Sequence, residues 1–231
     1  MPTTYALIPG AGGQAWYWHC VTPLLSAGGA EAIAIDLPAD DDTADLTTYA
    51  DIVSNAVADV AGPLVLVGQS MGAFTAPIVA SRLQSAGRTP QIVLVNPMVP
   101  TTGETPGQWW EASGQASARL AYFQQIGLAR TDFDPVEDFF HDVPEPVRAE
   151  AFSQPEPQQS DTPFERPWPL DAWPDVPTRV IAGSDDRLFP LEFQRRIVRE
   201  RLGLNVDAMP GGHLMALSRP QELVALLTLG A

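Results

Sequence analysis

A chain of 231 residues, 45% of them hydrophobic, is long enough for one large domain with a buried core and too apolar to be disordered. Its formal net charge of −15 disfavours nucleic acid and anionic lipid as partners, and the densest charge run, Asp40–Asp42, is too short for a binding tail. All 13 basic residues are arginine, which excludes chemistry that needs a lysine amine.

The single cysteine, Cys20, permits no intrachain disulfide; this suits a reducing compartment, and the residue is expected to be a small apolar filler in a helix. There is no basic segment followed by an apolar one at the N-terminus, and no apolar run approaches the ~20 residues that span a bilayer. The expectation is a cytoplasmic protein with no membrane or nucleic-acid partner.

In chain order, Tyr5–Ile8 reads as a strand and runs into "PGAGGQAW". Gly10, Gly12 and Ala15 there fit G-x-G-x-x-G/A, the loop that cradles a dinucleotide pyrophosphate. A helix is expected over Tyr17–Ala27, then a strand over Ala32–Ile35. That strand ends on Asp36, about 20 residues after the glycines, where such a fingerprint places its ribose-binding acid. Further elements follow: a helix over Leu46–Val60, a strand over Leu64–Val67, a helix over Met71–Ala86 and a strand over Ile92–Val95. The strand runs are almost unbroken in Val, Ile, Leu and Ala, which is the pattern of strands covered on both faces.

Between Pro97 and Pro177 no strand is visible. Pro, Trp, Phe and Gln are frequent, and Pro155–Pro169 reads as a proline-stiffened irregular segment. The alternation then resumes with a strand over Arg179–Ala182, a helix over Leu191–Leu202, a strand over Asn205–Met209 and a helix over Pro220–Leu227, whose proline suits a first helical turn. These elements predict an α/β fold with a doubly wound, mostly parallel sheet. Residues 1–96 and 178–231 form its core, and 97–177 form an inserted, mostly helical cap.

The strongest chemical signal is "VGQSMGA". Gly68, Gln69, Ser70, Met71 and Gly72 make G-x-S-x-G between a strand and a helix, a sharp turn that lifts a serine hydroxyl above the sheet. A serine is a weak nucleophile without a base, and the base needs an acid to orient it. Of the three histidines, His213 lies in "GGHLMAL" after the last strand, at the sheet edge where Ser70 emerges; His19 and His141 do not. The loop "GSDDRLFP" after the preceding strand offers Asp185 or Asp186 as the acid. The order serine, aspartate, histidine fits the hydrolase layout. Three scattered histidines have no metal-binding spacing, so no metal and no cofactor is expected.

The segments "IPGAGG", "GQSMGA", "GSDDRLFP" and "GGHLMAL" resemble the α/β-hydrolase superfamily from the first strand to the last helix, and within it the small capped esterases similar to plant methylesterases and hydroxynitrile lyases. The spacing from Gly183 to Pro190 resembles the family's acid loop and selects Asp186 over Asp185. Trp16 and Trp18 follow the early loop much as a tryptophan does in those esterases, while Pro9 stands where they carry histidine. The resemblance implies an oxyanion hole made by the N–H groups of Ala11 and Met71. It also separates neighbours of the same fold. The related lyases use a lysine beside the histidine, where this chain has Leu214, and epoxide hydrolases and dehalogenases use an aspartate nucleophile in place of Ser70.

The expected function is hydrolysis of a small, largely apolar carboxylic ester through a Ser70–His213–Asp186 triad. A type II thioesterase, similar in size and sharing the G-x-S-M-G elbow, is the main enzymatic alternative. A receptor without useful turnover and a dinucleotide-binding module are the non-catalytic ones, although short-chain reductases with a similar glycine loop resemble this chain less, for want of their lysine. Cap aromatics, among them Trp109, Trp110, Phe139 and Phe140, either line a pocket or form the cap's own core; Trp109 and Trp110, about 100° apart on a helix, cannot both face inward.

Overall fold

A computed structural model describes residues 1–229. Six strands, β1 (Thr4–Ile8), β2 (Glu31–Ala34), β3 (Leu64–Gln69), β4 (Gln91–Val95), β5 (Thr178–Gly183) and β6 (Asp207–Met209), form one all-parallel sheet in the order β2-β1-β3-β4-β5-β6. Helices α1 (Thr22–Ala27), α2 (Leu46–Ala56) and α3 (Gly72–Ser85) connect the first four strands. Five short helices fill the insertion between β4 and β5: α4 (Pro106–Ala112), α5 (Gln115–Gln125), α6 (Pro135–Phe139), α7 (Glu145–Ser153) and α8 (Thr162–Glu165). Helices α9 (Leu191–Leu202), α10 (Met215–Ser218) and α11 (Pro220–Leu227) complete the chain.

The unbroken apolar strands are explained by two cores. Ala6, Ile8, Leu64 and Leu66 pack on one face with residues of α2, α3 and α9, whereas Tyr5, Leu7, Val65 and Val67 pack on the other with residues of α1 and α11. Alternate side chains therefore meet different helical layers, and neither face is polar. Each fully buried aliphatic side chain contributes about 1.5–3 kcal/mol.

Two helices differ from expectation for local reasons. The helix expected over Tyr17–Ala27 is split into a 3-10 turn at Ala15–Trp18 and α1, because Pro23 has no N–H to continue a ladder and sits instead in the first turn of a new helix. Cys20 falls in the turn between them, half-buried, with its Sγ 3.2 Å from His19 Nε2, and is not a helical filler. Helix α2 ends at Ala56 rather than Val60, where the chain tightens into Val60 N–H to Val57 C=O. Its start is firm: the Asp45 side chain accepts the N–H groups of Thr47 and Thr48.

The insertion is tied to the sheet layers. Trp168 Nε1–H donates to the Phe74 carbonyl at 3.0 Å, and Arg201 of α9 makes two bonds, 2.5 and 3.0 Å, to the buried Glu104 carboxylate. The segment expected to be irregular, Pro155–Pro169, is so apart from the four residues of α8.

Candidate active site

Strand order fixes where a site can form. The chain places β2 on one side of β1 and β3 on the other, so the connections leaving β1 and β3 diverge at their carboxyl ends, the position where open α/β sheets bind ligands. The early loop leaves β1 there and Ser70 leaves β3 beside it. Registers Ile8↔Gly68 and Val95↔Gln69 bring the ends of β1, β3 and β4 level.

Ser70 has a φ of 51°, a left-handed conformation that a residue with a side chain adopts only under strain of about 1–3 kcal/mol. The surroundings hold it. Its N–H donates to the Val95 carbonyl at 3.0 Å, and its own carbonyl accepts the Met98 N–H at 3.0 Å and the Ala73 N–H at 3.1 Å. Glycine is required next to it: a Cβ at Gly72 would lie 2.7 Å from the Pro9 carbonyl oxygen, and one at Gly68 would lie 2.7 Å from that of Gly72.

Around this turn three side chains line up. His213 Nε2 lies 3.2 Å from Ser70 Oγ, and His213 Nδ1 lies 2.8 Å from Asp186 Oδ2. The other Asp186 oxygen accepts the N–H groups of Leu188 and Phe189 at 2.8 and 2.9 Å, so the carboxylate is fully buried yet well hydrogen-bonded. An Nδ1–H given to Asp186 leaves Nε2 as an acceptor for the serine hydroxyl. Asp185, the neighbouring acid, turns away: its carboxylate accepts the Ser184 hydroxyl and the Gly211 N–H. Gln69 Nε2 also lies 3.3 Å from His213 Nε2, so two donors converge on one lone pair.

Two backbone N–H groups, one beside the serine turn and one in the early loop, stay free. Among the described residues neither the Ala11 N–H nor the Met71 N–H has an acceptor within the chain. The adjacent Gly12 N–H does: it donates to Gln159 Oε1 at 2.9 Å, and Pro157 packs against Gly12 so closely that a Cβ there would meet its ring at 2.7 Å. Asp36 accepts the Ala15 N–H at 2.7 Å, at the start of the 3-10 turn. The features that suggested a dinucleotide cradle are thus occupied by the chain's own groups, and no space is left over Gly12 for a pyrophosphate. Among the described residues no group of three or more His, Cys, Asp or Glu side chains could hold a metal ion, and no helix is long and apolar enough to cross a membrane.

A cavity of about 360 Å³ is lined by Trp110, Gln115, Arg119, Phe133, Phe139 and Leu188. Phe139 forms its link to the site, since its ring stacks on His213 at 5.3 Å between centroids, and Phe189 meets the same imidazole edge-on at 5.0 Å. The wall is apolar: the Arg119 guanidinium is engaged by Asp138 at 2.7 Å and by the carbonyls of Thr131 and Asp132. Two expected pocket residues do not line it. Trp109 is fully buried in the core, packed on Phe189 and Phe193 with its Nε1–H on the Val99 carbonyl. Phe140, next to Phe139 on the chain, points to the opposite side and packs on Phe152.

The reading of the sequence did not identify Asn96. It is fully buried, has a φ of 43°, gives its Nδ2–H₂ to the Gly212 and His213 carbonyls at 3.0 and 3.1 Å, and accepts the Gly183 N–H at 2.8 Å. It thereby joins the end of β4 to the end of β5 and to the histidine loop. Its signal was present as an asparagine, a residue that tolerates left-handed backbone, between an apolar strand and a proline. Gln115, Arg119 and Leu188 of the cavity carried no such signal.

No curated protein matches the chain in sequence. Among solved structures it is similar to a pyrethroid hydrolase from Sphingobium faniae JZ-2, with a TM-score of 0.75 and 21% identity over 98% of this chain and 96% of that one. It is similar to polyneuridine aldehyde esterase, with a TM-score of 0.75 and 18% identity over 100% of both chains. A methylesterase from Arabidopsis gives a TM-score of 0.73 and 17% identity over 97% of each. At such identities these likenesses speak for the fold. The family described as Alpha/beta hydrolase matches residues 6–226. With the parallel sheet, the serine turn and the insertion between β4 and β5 all in place, this chain belongs to the alpha/beta hydrolase family.

Proposed function

We propose that this protein is a serine hydrolase of small, largely apolar carboxylic esters, with residues 97–177 serving as a cap over a core made of 1–96 and 178–231. The observation that carries the reading is the line of contacts Ser70 Oγ, His213 Nε2, His213 Nδ1, Asp186 Oδ2, at 3.2 and 2.8 Å, ending on a serine held at positive φ. In the proposed reaction Ser70 Oγ attacks the ester carbonyl carbon while His213 Nε2 takes its proton. Asp186 keeps the imidazole in the required tautomer and stabilises the imidazolium. The carbonyl oxygen becomes an oxyanion and is held by the N–H groups of Ala11 and Met71, each worth about 3–4 kcal/mol at the transition state. The tetrahedral intermediate collapses, the C–O bond to the alcohol breaks, and His213 returns its proton to the leaving oxygen. Water, deprotonated by His213, then opens the acyl-enzyme and releases the acid.

The apolar cavity beside Phe139 supports an uncharged, apolar or aromatic group on the substrate. The esterases among the similar structures support the ester class, as does the absence of a lysine beside His213. The test is a panel of p-nitrophenyl acetate, p-nitrophenyl benzoate, a p-nitrophenyl ester with a free carboxylate on the acyl group, and the benzoyl thioester of N-acetylcysteamine. The benzoate should show the highest kcat/KM and the charged ester the lowest. Faster turnover of the thioester than of the matched oxygen ester would replace the ester reading by a thioesterase.

A further inference from the structure

Two hydrogen bonds cross from the cap to the core at matching places. Asp142 Oδ2 accepts the Gly212 N–H at 2.7 Å, and Gln159 Oε1 accepts the Gly12 N–H at 2.9 Å. Gly212 immediately precedes His213, and Gly12 immediately follows Ala11. We propose that Asp142 and Gln159 are positioning residues through which the seated cap sets the base and the oxyanion loop. This rests on the serine-hydrolase reading above and adds to it a coupling between the cap and the chemistry.

Close packing accompanies both bonds. A Cβ at Gly212 would lie 2.6 Å from His141 Cε1 and 2.7 Å from Asp142 Oδ1, so cap side chains press directly on the loop backbone. Because His213 is the next residue, a shift of this peptide moves the imidazole. The reach from Nε2 to Ser70 Oγ is already 3.2 Å, toward the long end for a hydrogen bond.

The two latches differ in how firmly they are made. Gln159 is held from both ends of its amide, since its Nε2 donates to the Ala39 carbonyl, the Tyr49 hydroxyl and the Ser160 carbonyl. Asp142 has the reverse situation: among the described residues its second oxygen is buried with no donor, and His141 Nδ1 beside it is also buried and unpaired. Burying an unpaired carboxylate oxygen opposes folding, so stability alone does not favour an aspartate here. Its one bond goes to the peptide that leads into the catalytic histidine. The oxyanion-side latch is therefore the fixed anchor and the histidine-side latch the releasable one.

The test uses the full chain with p-nitrophenyl acetate, with Ser70→Ala as control and folding read from the urea midpoint of each variant. Asp142→Leu removes both the acceptor and the unpaired oxygen, and its urea midpoint shows whether the fold is kept. The expected result is a kcat lower by about 10–100-fold with KM within about twofold, the size expected when a reacting group is displaced without loss of substrate contacts. Asp142→Asn, whose amide oxygen still accepts from Gly212, should recover kcat to within about threefold of the native protein. Gln159→Ala, which removes the acceptor of the Gly12 N–H, should lower kcat likewise. Folded Asp142→Leu protein with native kcat overturns the proposal, as does an Asp142→Asn variant as slow as Asp142→Leu. If Ser70→Ala abolishes turnover while Asp142→Leu does not change it, the positioning role alone fails. If Ser70→Ala retains turnover, the serine reading and this proposal fail together.

Discussion

Among the described residues two side-chain carboxylates are completely buried, Asp186 at the sheet edge and Asp138 in the insertion, and their partners differ in kind. Asp138 is held by Arg119 and Arg130 together with the Asp134 N–H. Burial pushes its carboxyl upward, but the hydrogen bonds from Arg130, Asp134 and Arg119 outweigh burial and leave it below the usual carboxylate range. Arginine does not give up its proton, so this knot has one charge state and can only hold structure. Asp186 faces two backbone N–H groups and one imidazole, the only partner of the set that can take up a proton. The same buried group is a brace where its neighbours are fixed cations and, in the proposed mechanism, an orienter where its neighbour can take up a proton.

Substituting each region separately tests that division. The largest effect is expected from Ser70→Ala, which should lower kcat by at least ~10⁴-fold in a steady-state ester assay; Asp186→Asn should lower it by ~10³–10⁴-fold, both with urea midpoints near the native value. Ser70→Gly, equally inactive, should be more stable than native by about 1 kcal/mol, because glycine adopts positive φ freely. Asp138→Asn should invert the pattern. It leaves Arg119 buried without its counter-ion, so denaturant unfolding should show a loss of about 3–5 kcal/mol while kcat of the folded enzyme changes by far less than in Asp186→Asn. A comparable loss of stability from Asp186→Asn would erase the distinction.

Trp110→Ala should act on substrate choice. It removes one cavity wall without touching the triad, so KM for p-nitrophenyl benzoate should rise about tenfold while p-nitrophenyl acetate is nearly unaffected. The smallest effect concerns pH. Burial pushes the His141 imidazole below its ordinary value; Asp142, Asp186 and Asp185 oppose this and Arg187 reinforces it. The folded protein then holds His141 neutral where the unfolded chain would protonate it. Stability should be complete above the unfolded value of about 6.5 and fall as pH drops from there through the lowered folded value. His141→Gln should flatten that part of the stability curve in pH-dependent urea melts.

The sheet was legible because its strands carry a signal that packing does not override: runs of Val, Ile, Leu and Ala buried on both faces, separated by glycine turns. The serine, histidine and acid were legible for a related reason, since each follows a strand and so lies at the same sheet edge. The early loop was ambiguous in isolation. Its glycines and Asp36 satisfy a dinucleotide pattern, and only three-dimensional contacts, Gln159 on Gly12 and Asp36 on Ala15, show them already engaged. The insertion was the least legible region. Its helices are short, and whether Trp109 or Trp110 faces the cavity depends on how α4 lies over Phe189 and Phe193, which no periodicity within seven residues determines. The contacts of Asp142 and Gln159 with loops 70 and 147 positions away have no local signature at all.

The central claim is that Ser70 is a nucleophile activated by His213. Its most direct test is reaction of the native protein with a fluorophosphonate probe, followed by intact mass and peptide mapping, alongside His213→Ala. A single adduct on Ser70 is expected, forming at least ~10³-fold more slowly without His213. No adduct on the folded native protein, an adduct on another residue, or equal labelling of His213→Ala would contradict the account.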